Sequence, residues 1–307
     1  MKHRDDLSFS DDSTLISAGA TNQGRVRETN QDQFLIAQLK KSMLVDSTSL
    51  NFEQQVFGNL QSEILLVADG MGGHAAGEKA SQLAIQYLVR RLLNSIHWFS
   101  QHEEDEERES AFINDLKDLL KDAHQRILRE SARHRDRRGM GTTLTMAHLV
   151  GSRMYVVHAG DSRCYLIRDG KAEQITTDHT LAHQMVEAGG MKPEEEASSK
   201  WSNVLWNVLG GNADGDIIAE VHRVDLKVGD SVVLCSDGLY RYIDHETLAA
   251  VVDASNSPAQ ACEELIALAN QQGGEDNITV VIACPDAASL RTTQIEHHGA
   301  AKSESDG

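Results

Sequence analysis

Hydrophobic and polar positions along this chain follow two different periods. AAGEKASQLAIQYLVRRLLNSI, from Ala75, places Ala80, Leu83, Ala84, Tyr87, Leu88 and Leu92 on one face at helical spacing. FINDLKDLLKDAHQRILRESA predicts a second helix from Phe112. FLIA at 34–37 and ILLVA at 64–68 are strand-type runs, joined by a polar insert around KKSMLVDSTSLNFEQQ. After Arg138, TTLTMAHLV, RMYVVHA, RCYLIR and AEQIT predict strands, with turns at Gly151-Ser152, Gly160-Asp161-Ser162 and Asp169-Gly170. An Asp-Gly pair between such runs is a strong hairpin signal. HTLAHQMVEAGG predicts a short helix stopped by Gly189-Gly190, followed by irregular polar sequence to about Gly211. VVLC and ITVVIAC add two strands, with helices around HETLAAVV and PAQACEELIALANQQ. Strands near both ends with helices between do not alternate as a parallel β-α-β-α series would. The pattern predicts an α+β layered sandwich of antiparallel sheets with helices packed outside.

Residues 1–13 and about 287–307 are polar and aperiodic, so they are expected to be tails on one domain over 14–286. The 307 residues are 40% hydrophobic and 25% charged, ordinary for a globular protein with a sizeable core. No apolar run approaches the ~18 residues that span a bilayer, and MKHRDDLSFSDD is too polar for a signal peptide. A cytoplasmic protein without a membrane partner is expected. Cys164, Cys235, Cys262 and Cys284 are far apart and form no CxxC pair, so buried reduced thiols are expected. The acidic run EEDEERE reads as a solvated loop or helix start without a partner. A formal charge of −18 argues against nucleic acid, and it also repels phosphate esters. An enzyme acting on such esters would need strong local positive charge, which a metal cluster would supply.

The stretch LLVADGMGGHAAGEKAS runs from strand through glycines into helix, an arrangement that often holds phosphate. Two nucleotide loops can be tested against it. Gly72 and Gly77 have Walker A spacing, but Glu78 stands where the loop needs Lys. Gly70, Gly72 and Ala75 satisfy G-x-G-x-x-[GA], yet the chain continues as helix where a second strand and an acidic residue are required. Both nucleotide readings fail.

A different relation does carry chemistry. ILLVADG at 64–70 is echoed by SVVLCSDG at 231–238, each a strand ending in Asp-Gly. Asp32 precedes FLIA, and Asp276 precedes ITVVIAC. Any one of these aspartates alone reads as a turn residue. Four carboxylates at the ends of four core strands would repel one another if they converged, unless cations held them together. Oxygen ligands without cysteine suit Mg²⁺ or Mn²⁺, and two such ions form a clamp for phosphoryl displacement.

The blocks GRVRETNQDQF, LLVADGMGGHAAGEKAS, MGTTLTMAHL, YVVHAGDSRCYLIRDG, ITTDHTLAHQMVEAGG, GDSVVLCSDGL and GGEDNITVVIA occur in an order that resembles the PPM family, the metal-dependent protein phosphatases of type 2C, in their compact bacterial form. They cover about residues 16–284. The resemblance implies a four-layer αββα sandwich. It also implies hydrolysis of phosphoserine and phosphothreonine by hydroxide bridging two Mn²⁺ or Mg²⁺ ions, with no phosphoenzyme. Asp69 resembles the carboxylate that bridges both metals, and the Gly70 carbonyl a ligand of one of them. Asp237 and Asp276 resemble further ligands, and Asp32 an outer ligand holding metal-bound water. Asp161 matches a residue that helps bind a third, weaker metal, and Arg27 the arginine that grips phosphate. Asn277 is expected to order the Asp276 loop, and residues 178–211 resemble a flap beside the site.

Two positions depart from many members. Gln31 replaces a Glu, which removes a charge and predicts lower metal affinity. Met71 stands where some eukaryotic members carry a His, and the bacterial branch commonly has Met there. His74 reads as structural at its helix start, and the His179/His183 pair lacks the Glu of H-E-x-x-H, which argues against zinc. Implied partners are phosphorylated proteins and a cognate Ser/Thr kinase, with a monomer expected. The rival reading is a pseudophosphatase that binds phosphoproteins without turning them over.

Overall fold

The computed structural model describes residues 15–50, 55–73, 75–95, 106–211 and 216–285. His74 and the two tails lie outside the described residues. In chain order the first strands are β1 (Leu15–Asn22), β2 (Gln33–Leu44), β3 (Gln55–Ala68) and the short β4 (Gly70–Met71). Helices α1 (Ala75–Ser95) and α2 (Glu106–Arg133) follow, then β5 (Gly141–Thr142), β6 (Leu144–Val150), β7 (Arg153–Ala159), β8 (Arg163–Arg168) and β9 (Lys171–Gln174). The remainder is α3 (Leu181–Glu187), α4 (Pro193–Glu196), β10 (Leu209–Gly210), β11 (Glu220–Asp225), β12 (Ser231–Cys235), α5 (Asp237–Tyr240), α6 (His245–Ala254), α7 (Pro258–Gln272) and β13 (Ile278–Pro285).

Two five-stranded antiparallel sheets form the centre, ordered β1-β13-β12-β8-β9 and β11-β7-β6-β3-β2, and a small sheet β10-β5-β4 lies beside them. Alternation along each strand builds the layers. In β3, Leu65 and Val67 pack between the two large sheets with Ala147, Val156, Leu166, Leu234 and Val281. Ile64, Leu66 and Ala68 point the other way, onto Ala80, Ala84 and Leu88 of α1 and Leu116 and Leu120 of α2. The second sheet repeats the device, with Val233, Val280 and Ile282 against Leu248, Leu265 and Ala269 of α6 and α7. Helices, sheet, sheet, helices is the four-layer α+β sandwich that the sequence implies.

Local chemistry sets most boundaries. The Asp169-Gly170 hairpin between β8 and β9 has positive φ at both residues (51° and 73°), as a type I′ turn requires. Thr180 caps α3 by accepting the His183 amide, and Gly189 at φ 71° stops it. Three features differ from the sequence reading. The turn at Gly160–Ser162 does not close a hairpin but carries the chain from β7 in one sheet to β8 in the other. The polar insert after residue 37 is largely β2 and β3 pairing onward, out to Leu44↔Gln55. Helix α2 begins at Glu106, six residues before Phe112, because Glu106, Glu107 and Glu109 favour its first turn through the helix dipole. No helix among the described residues is long and apolar enough to cross a membrane.

Candidate metal centre and phosphate cleft

Antiparallel pairing brings the aspartates together. Gln33 pairs with Ala68, so the start of β2 and the end of β3 share one edge, and Asp32 and Asp69 flank it. Cys235 pairs with Val280 at the corresponding edge of the other sheet, beside Asp237 and Asp276. The crossover at Gly160–Ser162 adds Asp161. A cleft of about 510 Å³ opens over these edges, lined among others by Arg27, Asp69, Gly70, Asp161, Asp237 and Asp276.

The carboxylates perturb one another strongly. Burial, then the charges of Asp32, Asp237, Asp161 and Asp276, hold the Asp69 carboxyl well above the ordinary carboxylate range. Burial lifts Asp32 to about 7, against hydrogen bonds from Ser236 and Thr279 and with the repulsion of Asp237 and Asp276. Asp161 rises to about 8 through burial, then the charges of Asp237 and Asp178. Burial also raises Asp237, with Arg241 opposing. The Oδ1 atoms of Asp32 and Asp237 are buried without a hydrogen-bond partner. An orphaned buried acceptor costs about 1–3 kcal/mol. Mutually repelling carboxylates with unpartnered oxygens fit divalent cations that prefer oxygen ligands.

Hydroxyls and amides fix the carboxylates in place. The Asp69 amide donates to Thr143 Oγ1 at 2.9 Å. Its carbonyl accepts the Thr143 amide and the Thr142 hydroxyl, each at 2.9 Å. Asp32 Oδ2 accepts the hydroxyls of Ser236 and Thr279, each at 2.7 Å. Gly70 is required by close approach, since a Cβ there would lie 2.3 Å from the Gly77 carbonyl oxygen and 2.7 Å from that of Gln31.

Arg27 stands at the cleft mouth with Nη2 2.6 Å from Asp276 Oδ2. Asn277 holds the loop that carries it. The Asn277 side-chain amide donates to the carbonyls of Gln23 and Thr29 at 2.9 and 3.0 Å, and its Oδ1 accepts the Gln31 amide at 2.8 Å. Asn277 thus orders the Arg27 loop as well as its own, where its amide donates to Asp276 Oδ1 at 2.9 Å. Gln31 and Met71 both line the cleft.

Sequence reasoning missed Thr143, Ser236, Thr279 and Arg241. The first three are small hydroxyl residues whose partners lie far away in sequence. Arg241, one turn beyond Asp237, pairs with it directly.

His158, His179 and Glu220 form a second cluster at a spacing that a metal could bridge. Its hydrogen bonds give it a structural part. His179 Nδ1 accepts the Gly160 amide at 3.1 Å and the Asn207 side-chain amide at 2.9 Å, so its hydrogen sits on Nε2, 3.1 Å from Glu220 Oε2. His158 Nε2 donates to the Thr177 carbonyl at 3.0 Å, while its Nδ1 faces the Thr145 hydroxyl at 2.9 Å. These contacts tie β11 to the Asp161 turn through the cluster. His183 turns to Glu196 at 2.9 Å and does not join His179.

Comparison with known proteins agrees with this architecture. The chain belongs to the family described as Protein phosphatase 2C, whose profile matches residues 53–272. It is 36% identical over 235 residues to the serine/threonine protein phosphatase PstP of Mycobacterium tuberculosis, covering 76% of this chain and 42% of that protein. The chain therefore spans less than half the length of that relative. It is 28% identical over 263 residues to the serine/threonine phosphatase stp of Listeria monocytogenes, covering 85% and 92% of the two chains. Among solved structures, the catalytic domain of PstP in complex with two manganese ions superposes at a TM-score of 0.66. That match has 31% identity and covers 88% of this chain and 98% of that one.

Proposed function

We propose that this chain is a metal-dependent protein serine/threonine phosphatase. The observation that carries the reading is the convergence of Asp32, Asp69, Asp161, Asp237 and Asp276 beneath a cleft with Arg27 at its mouth. The relatives named as serine/threonine phosphatases, one of them holding two manganese ions, supply the reaction class.

Asp69, Asp237, Asp276 and the Gly70 carbonyl would hold two Mn²⁺ or Mg²⁺ ions, with Asp32 behind them and Asp161 toward a third, weaker ion. Bound there, the ions would supply positive charge and a deprotonated water for attack on phosphorus. The chain's own residues do the rest. Arg27 presents its guanidinium to the phosphate oxygens and offsets their charge. Ser236 and Thr279 orient Asp32, and Thr142 and Thr143 fix the backbone of Asp69. The described cysteines are unsuited to nucleophilic attack. Burial pushes the Cys235 and Cys262 thiols to about 12 and raises those of Cys164 and Cys284, so all four stay protonated at neutral pH.

The segment 178–211 borders the cleft through Asn203 and Leu205 and would act as a flap that influences which phosphoprotein enters. The pseudophosphatase reading is not favoured, because every aspartate of the expected set is present. The test is phosphate release from phosphothreonine and phosphoserine peptides in Mn²⁺, with chelator as the control. Metal-dependent turnover supports the proposal, and a folded, metal-loaded protein that releases no phosphate contradicts it.

A further inference from the structure

Arg241 has no place in the sequence reading, yet it joins the carboxylate cluster to the neighbouring segment. It closes the single turn of α5, and its Nη2 donates to Asp237 Oδ2. The same nitrogen donates to Asn203 Oδ1 at 3.1 Å. Asn203 lies in the 178–211 segment and also accepts the Ser202 hydroxyl at 3.2 Å. One guanidinium nitrogen thus bridges a cluster aspartate and a cleft-lining amide from a different part of the chain. The side chain is one-third exposed, with room to move into the cleft that it lines. The other oxygen of Asp237 is buried without a partner.

We propose that Arg241 is a cation-sensitive latch, holding the 178–211 segment against the cleft while Asp237 is bare and releasing it when a divalent cation takes that carboxylate. The inference rests on the reading of Asp237 as a metal ligand. Arg241 takes Oδ2 while Oδ1 is left for an ion, and a divalent charge on the same carboxylate neutralises it and repels the guanidinium beside it. Arg241 would then lose its anchor on Asp237, and Asn203 would no longer be tied to the cluster. From the Val204 carbonyl onward the segment keeps its own ties, since the Leu181 amide donates to that carbonyl at 2.8 Å and the Trp206 amide to the His179 carbonyl at 3.1 Å. Release is therefore local to the cleft edge. Because linkage is reciprocal, the latch must weaken metal binding by the same factor that the metal weakens the latch.

The test measures Mn²⁺ affinity by calorimetry and amide hydrogen exchange across residues 193–211, with and without Mn²⁺, in the wild type, Arg241→Gln and Asn203→Ala. Arg241→Gln is expected to bind Mn²⁺ about fivefold tighter or more. In the wild type, Mn²⁺ should speed exchange of the Ser202 and Val204 amides, which flank Asn203 and donate to the Ser199 and Trp201 carbonyls. In Arg241→Gln that exchange should already be fast and indifferent to the metal. Asn203→Ala, which leaves every charge in place, should speed exchange before metal is added. Equal or weaker Mn²⁺ binding by Arg241→Gln overturns the latch alone, as does wild-type exchange that ignores Mn²⁺. Wild-type protein that takes up no Mn²⁺ overturns the metal reading itself, and the latch falls with it.

Discussion

Ser236 donates its hydroxyl to Asp32 Oδ2 at 2.7 Å while accepting the Thr279 amide at 3.0 Å, so one small side chain ties the start of β2 to the paired ends of β12 and β13. Ser236 shares the hold on Asp32 Oδ2 with the Thr279 hydroxyl, also at 2.7 Å, while the second oxygen is unpartnered. Ser236→Ala should leave the fold intact and weaken Mn²⁺ binding about 10- to 100-fold, as loss of an orienting partner commonly does. Calorimetric titration checks this, and an unchanged affinity would remove Ser236 from the account.

The raised carboxyls make the metal-free protein sensitive to pH. Asp32 and Asp161 carry folded values of about 7 and 8, against an ordinary 3.8. Between those limits the folded chain binds more protons than the unfolded chain, so stability is lost as pH rises. In chelator, the melting temperature should fall by several degrees from pH 5 to pH 8. Added Mn²⁺ should reverse the trend, since it competes with protons for the same oxygens. A melting temperature in chelator that rises over this range would show that burial and neighbouring charge do not raise these carboxyls as described.

Asp69 sits where four other carboxylates act on it. Asp69→Asn removes one charge from that group while keeping its shape. In chelator the variant should melt higher than the wild type, although its phosphatase activity should fall by about 10³-fold or more, the scale expected when a centre that activates water is lost. Thermal melts and turnover on one preparation separate the two effects. A variant both inactive and less stable would mean that Asp69 is structural.

Gly238 follows Asp237 in a turn with no space for a side chain. A Cβ there would lie 2.0 Å from the Asn277 carbonyl oxygen. Gly238→Ala should therefore displace the Asp276–Asn277 turn and cost about 1–3 kcal/mol. Denaturant unfolding at saturating chelator measures the loss.

Much of this was legible in the sequence for a physical reason. Strands buried on both faces read as apolar runs, and the aspartates that end β3 and precede β2 and β13 are conspicuous against them. The edge strands were harder. β1, LISAGATN, carries small and polar residues and pairs on one side only, with β13, so it shows no strong period. β11, EVHRVD, is half-exposed along its length and reads as loop. The outer ends of β2 and β3 look like a polar insert because KKSMLVDSTSLNFEQQ holds no sustained alternation of apolar and polar residues. In the site, charged residues beside glycine stood out, whereas Thr143, Ser236 and Thr279 did not. A hydroxyl earns its role only from a partner that the fold supplies. Arg241 lacked any motif of its own and became visible only through its contacts with Asp237 and Asn203.

The most direct measurement is a parallel Mn²⁺ titration of bound metal and phosphate release, using a phosphothreonine peptide, in the wild type and Asp276→Asn. The account predicts at least two ions per chain in the wild type, with turnover rising as they bind. It predicts loss of one ion and collapse of turnover in the variant, which also frees Arg27 from its partner. Turnover in Asp276→Asn equal to the wild type, or wild-type turnover that persists in chelator, would contradict it.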